Sequence, residues 1–349
     1  MKQIIQPCNI YLALWCLRYL TGIVFMQGSI WSWLTTLLLL ILTVYYTFKA
    51  VKERVLPSCL STFFLFGCIL LVYGSLLLIS GETLSTWASD WTFTGSKYVM
   101  EILFSIFPAF VFYYFCVRNQ INERTIITWS WIFFVVVAAN YFFRRSVLQT
   151  QLENYVVARD GFTNNSAYIV LAFIPMIPYL SRRNMTQFLA FGLCLFMIFI
   201  GMKRGAILIS LICLLFVLLF YFRESSNTKK IGIFVTTIVL VYVGYRIFDY
   251  YYLNDAYFQT RLLNTTQGDV NGRDEIYIMI QNYLTQDSTV FNILLGKGAY
   301  GSLKAIGQFA HNDWLELFIN QGMLGLIIYI IFYVRLFNPT FTFYSRFSC

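Results

Sequence analysis

The chain has 349 residues, of which 59% are hydrophobic and 12% charged, with 25 Lys and Arg against 16 Asp and Glu for a net charge of +9. A soluble domain carries about 25% charged residues, so the composition excludes one. Apolar runs of around 20 residues recur along the whole length, each enough to cross about 30 Å of hydrocarbon, and continuous apolarity without alternation excludes a β-barrel.

The runs predict ten membrane helices, at about 10–26, 31–48, 59–80, 97–117, 125–143, 166–180, 186–201, 204–222, 230–248 and 312–334. The expected fold class is therefore an all-α polytopic membrane protein. Residues 1–349 would form one integral membrane domain, with 249–311 as a long extracytoplasmic loop. The first run is not expected to be a removable signal, because Arg18 interrupts its apolar core and no small-residue cleavage site precedes the next span. The cysteines (Cys8, Cys16, Cys59, Cys68, Cys116, Cys194, Cys213 and Cys349) show no metal-ligand spacing, and none falls in a predicted outer loop, so no outer disulfide is expected. No repeat of 20–50 residues and no low-complexity tract is present.

Lys and Arg favour cytoplasmic loops. With the N-terminus inside, the inner loops are Lys49 to Arg54, Arg118 to Arg124, Arg182-Arg183, Arg223 to Lys230, and the tail with Arg335 and Arg346; all are basic. Ten spans then place both termini in the cytoplasm. The opposite loop, Gly81 to Ser96, has Glu82 and Asp90 and no Lys or Arg.

The cations left outside are the informative ones. Arg144, Arg145 and Arg159 share the loop 144–165, Lys203 and Arg204 fill a turn between spans, and Arg261, Arg273, Lys297 and Lys304 lie in 249–311. An anionic ligand at the outer surface would account for them. Arg204 opens a helix, whose free N–H groups favour phosphate, and a guanidinium grips phosphate bidentately; the plainer alternative is that Lys203 and Arg204 cap a hairpin and touch headgroups.

In the long segment, Tyr250-Tyr251-Tyr252 is expected in an interfacial aromatic belt. Asp274 to Leu284 reads as an amphipathic helix with Ile276, Met279, Ile280 and Tyr283 on one face and Arg273 at its start. Arg273 would either meet a ligand or pair with Asp274 or Glu275, a surface contact of little energy. Gly296-Lys297-Gly298-Ala299-Tyr300-Gly301 does not match the phosphate-loop pattern and is expected to be a flexible turn.

His311, the one histidine, begins His311-Asn312-Asp313-Trp314-Leu315-Glu316 at the mouth of the last run. Imidazole exchanges a proton near neutral pH; an interfacial side chain binding water is the alternative. If the helix already includes His311, Leu315 shares its face, Glu316 lies about 140° away, and Asn312 and Glu316 form an i, i+4 pair. Gly322 and Gly325 would allow close helix contact. Arg18 and Glu101 are expected as buried structural or snorkelling charges. One histidine cannot make a Cys/His zinc site, and no Asp-x-Asp pair exists for a sugar-nucleotide and metal site.

Three features occur in order: Lys203-Arg204-Gly205-Ala206 opening a span, Asn271-Gly272-Arg273 in a long outer segment, and His311-Asn312-x-x-Leu315-Glu316 followed by Gly322-x-x-Gly325. Over residues 186–335 this resembles the O-antigen ligase and polysaccharide polymerase superfamily. The resemblance implies a helical fold of the glycosyltransferase C type in the bacterial cytoplasmic membrane. It implies transfer, outside that membrane, of glycans linked to undecaprenyl diphosphate, without metal, cofactor or nucleotide sugar. It places the catalytic roles on Arg204, Arg273 and His311. Lys203, Arg144, Arg145, Arg159, Arg261, Asn312 and Glu316 would contact substrate; Arg261 and Gly272 fit an arginine-to-glycine spacing of polymerase loops. The expected partners are a lipid-linked glycan donor, a glycan acceptor, membrane lipids and a chain-length regulator protein, with no nucleic acid. Family members often have about two further spans. The preferred reading is a polymerase; the alternatives are a ligase to lipid A core, a lipid-linked sugar transporter or flippase, and a membrane scaffold.

Overall fold

The computed structural model describes residues 6–20, 30–86, 89–154, 166–177, 184–201, 204–224, 227–254, 259 and 273–337. Its helices are α1 (Pro7–Leu20), α2 (Ile30–Lys52), α3 (Ser58–Ser80), α4 (Gly95–Ser105), α5 (Pro108–Val117), α6 (Glu123–Asn154), α7 (Ser166–Phe173), α8 (Asn184–Ile200), α9 (Arg204–Glu224), α10 (Asn227–Asn254), α11 (Arg273–Asn282), α12 (Val290–Leu295), α13 (Gly301–Ile306) and α14 (Asp313–Phe337). Six segments among the described residues are long and apolar enough to cross a membrane: Ile30–Lys52, Ser58–Ser80, Gly95–Val117, Glu123–Phe143, Lys230–Asn254 and Asp313–Phe337. The chain is a helical membrane protein.

Several boundaries differ from the sequence reading, each for an identifiable reason. The run 97–117 is two helices, because Pro108 has no N–H to continue the first. The run from 166 tightens into a 3₁₀ turn, Ile174–Met176, at Pro175. Helix α6 continues through Arg144 and Arg145 to Asn154, so these arginines stand on a helix rather than in a loop. Helix α10 likewise passes through Tyr250, Tyr251 and Tyr252. Polar and aromatic side chains at a membrane edge are compatible with helical backbone, so the end of apolarity does not mark the end of a helix. The loop after α3 holds a two-stranded antiparallel hairpin, β1 (Leu84–Thr86) and β2 (Ser89–Phe93), a small departure from all-α. Leu84 faces Phe93 and Ser85 faces Thr92, with a bulge before Thr86. Glycine in the left-handed region at Gly81 ends α3 just before it.

Contacts divide the chain into two compact units, 1–36 with 121–269 and 37–120 with 270–349. In the first, Phe134, Val137, Tyr141, Ala167, Val170, Ile174, Cys194 and Met197 form a buried core. Two of its buried or half-buried polar groups bond within the unit: the Tyr141 hydroxyl donates to the Met197 carbonyl, and Trp129 Nε1 donates to Asn9 Oδ1 at 2.9 Å. In the second unit, α3, α4, α5, α13 and α14 pack around Phe66, Leu70, Leu77, Phe93, Tyr98, Phe107, Phe110, Tyr300 and Leu303. Phe63 stacks on Phe332 with centroids 4.6 Å apart, and Arg335 donates to Thr62 Oγ1 at 2.6 Å. A side chain at Gly95 would stand 2.2 Å from the Leu78 amide nitrogen, so glycine is required for the approach of α4 to α3.

The last helix is interrupted. Gly322 has φ 65° and ψ −165°, a conformation open in practice only to glycine. The break frees the carbonyls of Ile319 and Asn320, which then accept from the amides of Lys297 at 2.9 Å and Gly298 at 2.8 Å. Gly296 and Gly298 adopt positive φ to present those amides. The expected flexible turn 296–301 is thus a clasp on α14, and Gly322 both breaks the helix and gives the expected close contact, against the end of α12.

Candidate functional site

The turn that carries His311 is held from both sides. Asn312 Oδ1 accepts from the amides of Trp314 at 3.0 Å and Leu315 at 3.2 Å, an N-cap for α14. His311 precedes the helix in left-handed backbone, φ 52°, so the helical-face geometry expected for it does not apply. Its side chain is exposed and makes no hydrogen bond or ion pair among the described residues. Ala310, beside it, is fully buried.

Glu316 fixes this turn. One carboxylate oxygen accepts from the Ala310 amide at 2.7 Å; the other accepts from the Ser302 hydroxyl and, at 3.2 Å, from Asn320 Nδ2. Asn320 Oδ1 in turn accepts from the Ser302 amide at 2.9 Å. Three donors occupy the carboxylate, so it works within the protein. The expected side-chain pair of Asn312 with Glu316 is replaced by the helical bond from the Glu316 amide to the Asn312 carbonyl, 2.8 Å, because the Asn312 side chain is used as the cap.

Arg273 is the first residue of α11, as expected, and is exposed, with no hydrogen bond or ion pair among the described residues. Asp274 and Glu275 in the first turn interact with the helix dipole. Ile276, Ile280 and Tyr283 are buried with Ala310 and Ile319 in one apolar cluster, and Met279 is half-buried. The helix that Arg273 opens and the turn that presents His311 are thus packed on a common core. This gives one unit an exposed guanidinium, an exposed imidazole and a rigid support for both.

Arg204 opens α9, in the other unit, with its side chain outside the described set; Gly205 is exposed beside it. The side chains of Arg144 and Arg145, and all of Arg159, Lys203 and Arg261, lie outside the described residues. Among the described residues no group of three His, Cys, Asp or Glu side chains is placed to hold a metal.

Sequence reasoning missed the polar lattice beneath the turn. Gln321 Nε2 donates to the Tyr98 hydroxyl at 3.3 Å, and the Tyr300 hydroxyl donates to Glu101 Oε2 at 2.9 Å. Burial, and then the facing Glu101 carboxylate, push the Tyr300 hydroxyl well above the usual phenol range, so it stays a donor. Glu101, expected buried, is exposed. The signal for this lattice was available: Asn320-Gln321 is a polar pair inside an apolar span, and such groups need partners.

Comparison with family models, curated proteins and solved structures gives no match.

Proposed function

We propose that this protein is a glycosyltransferase of the O-antigen ligase and polysaccharide polymerase type. It would extend undecaprenyl-diphosphate-linked glycans at the outer leaflet of a bacterial cytoplasmic membrane, without metal or cofactor. Ten crossings with both termini in the cytoplasm follow from the basic loops. The observation that carries the reading is the exposed His311 on a turn locked by Glu316 and Asn312, packed on the same cluster as the helix opened by Arg273. Residue order supports it: Arg204, Arg273 and His311 match the motifs that the superfamily uses.

In this reaction His311 takes the proton of the acceptor sugar hydroxyl, whose oxygen attacks the anomeric carbon of the donor. The bond from that carbon to the diphosphate breaks, and the negative charge gathering on the diphosphate is met by Arg273. General base catalysis contributes about 10²–10⁴ in rate. The acceptor in a polymerase is a second lipid-linked glycan, in a ligase lipid A core; three extra cations at 144, 145 and 159 favour the polymerase.

The test is His311→Ala, with surface polysaccharide resolved by gel and protein level followed by blot. Loss of the ladder with one capped repeat retained identifies a polymerase; loss of all attached glycan identifies a ligase. An unchanged ladder at normal protein level removes His311 from the chemistry.

A transporter of lipid-linked sugars is the second reading, and the interruption at Gly322 favours it, because broken helices bind cargo in transporters. Against it, the carbonyls freed there are already taken by Lys297 and Gly298. If His311→Ala stops elongation while single lipid-linked units still reach the outer face, transport is excluded.

A further inference from the structure

Residues 290–306 re-enter the body of their unit. Gly322 lies nine residues into α14 from Asp313, about 13 Å by helical rise. A side chain there would stand 2.5 Å from the Leu294 carbonyl, so the end of α12 sits at that depth. The Leu295 carbonyl accepts from the Tyr73 hydroxyl at 2.6 Å, about two turns before α3 ends at Ser80. Irregular backbone at such a depth persists only where its polar groups are satisfied by protein.

Between α3, α12 and the glycine clasp lies a pocket of about 330 Å³. Leu76, Phe291 and Leu295 wall it, and Lys297, Lys304 and Glu82 line its polar part. Lys304 is 2.9 Å from Glu82, and the Lys297 ammonium stands 4.8 Å from the centre of the Tyr283 ring. Two ammonium groups against one carboxylate leave an excess positive charge, and Lys304 keeps further N–H donors beyond the one given to Glu82. Beside the pocket, Ile79, Val290 and Phe291 are 81%, 71% and 75% exposed. Ile79 stands on the span α3, and an exposed apolar patch of this kind suits contact with a membrane or an amphiphilic ligand.

We propose that the pocket holds an anionic glycerophospholipid of the surrounding bilayer, its phosphate at Lys297 and Lys304 and its acyl chains along Leu76, Phe291 and Leu295. Charge selects the head and the exposed apolar wall selects an amphiphile over a water-borne ion. The site is separate from the turn at His311 and stands whether or not the glycan reading holds.

The experiment is native mass spectrometry of the full chain released from detergent, with phosphatidylglycerol or phosphatidylcholine added as probe. The wild type should retain phosphatidylglycerol more strongly than phosphatidylcholine. The double variant Lys297→Gln/Lys304→Gln should lower that retention at least about fivefold, the effect of one ammonium near a lipid phosphate. Equal retention of both lipids, or a double variant that binds as wild type, overturns the proposal. Displacement by millimolar inorganic phosphate also overturns it, in favour of a site for a soluble anion. Should the double variant fail to fold, Phe291→Ala gives the same reading at a position too exposed to disturb the core: retention should fall, and unchanged retention overturns the proposal equally.

Discussion

Replacing Gly322 with Ala separates two pictures of the last span by the sign of the effect. In an uninterrupted helix, Ala stabilises by about 1 kcal/mol relative to Gly. In the structure, residue 322 has φ 65° and ψ −165°, and an added Cβ would stand 2.5 Å from Leu294 C and O and 2.6 Å from the Gly296 nitrogen. The backbone strain costs about 1–3 kcal/mol, and forcing a methyl against backbone atoms that cannot rotate away costs about 1–3 kcal/mol more. A loss of about 2–6 kcal/mol lowers the melting temperature by roughly 4–24 °C at about 2–4 °C per kcal/mol. The assay is thermal unfolding of the detergent-solubilised protein by intrinsic fluorescence. Gly244→Ala serves as control: that site is helical with nothing within 4 Å of the added Cβ, and it should melt at or slightly above wild type. A Gly322→Ala protein that melts no lower than wild type refutes both the break and the clasp.

Glu316→Ala leaves the Ala310 amide, Ser302 and Asn320 without their acceptor; the expected loss is about 1–3 kcal/mol, and Glu316→Gln, which keeps an acceptor oxygen, should recover part of it in the same melts. Asn312→Ala removes the cap of α14 and should lower stability by about 1 kcal/mol, while Asn312→Asp, which still accepts from Trp314 and Leu315, should not. At the other end of the unit, the hydrogen bond from Arg118 holds the Glu53 carboxyl below its ordinary 4.5, with the Tyr114 hydroxyl adding to it. A depressed folded value means that this tie is present above pH 4.5 and is lost as pH falls through the folded value; Glu53→Gln should therefore flatten the acid limb of the melting curve against pH, and an identical limb in both proteins contradicts the assignment.

The membrane class was legible because apolar content is a property of the whole chain. The helix from Arg273 was legible too, since Ile276, Met279, Ile280 and Tyr283 recur at helical spacing, and three of the four are buried. The state of Glu316 was not: its partners Ser302 and Ala310 lie before α14 begins, and their approach depends on the clasp. The break at Gly322 was hidden for the same reason. A glycine in an apolar run reads as a contact point, and only the amides of Lys297 and Gly298, far back in the chain, make an interruption cheaper than a straight helix. The hairpin at Leu84–Phe93 was invisible because a short polar loop carries no periodic signal strong enough to oppose its neighbours. Arg144 and Arg145 fall in a loop if the helix is ended where its apolar run ends, whereas α6 continues past them.

The order in which the clasp is made has a consequence for biogenesis. Beyond Gly322, the stretch to Phe337 is too short by itself to traverse about 30 Å of hydrocarbon, so the two rods of α14 must enter the bilayer together. A gap between them would strand the Ile319 and Asn320 carbonyls, each at a penalty of several kcal/mol in lipid. The amides that rescue them belong to residues synthesised earlier. When the ribosome delivers α14, the residues that carry its donors have already been made, so the broken rod never has to exist alone.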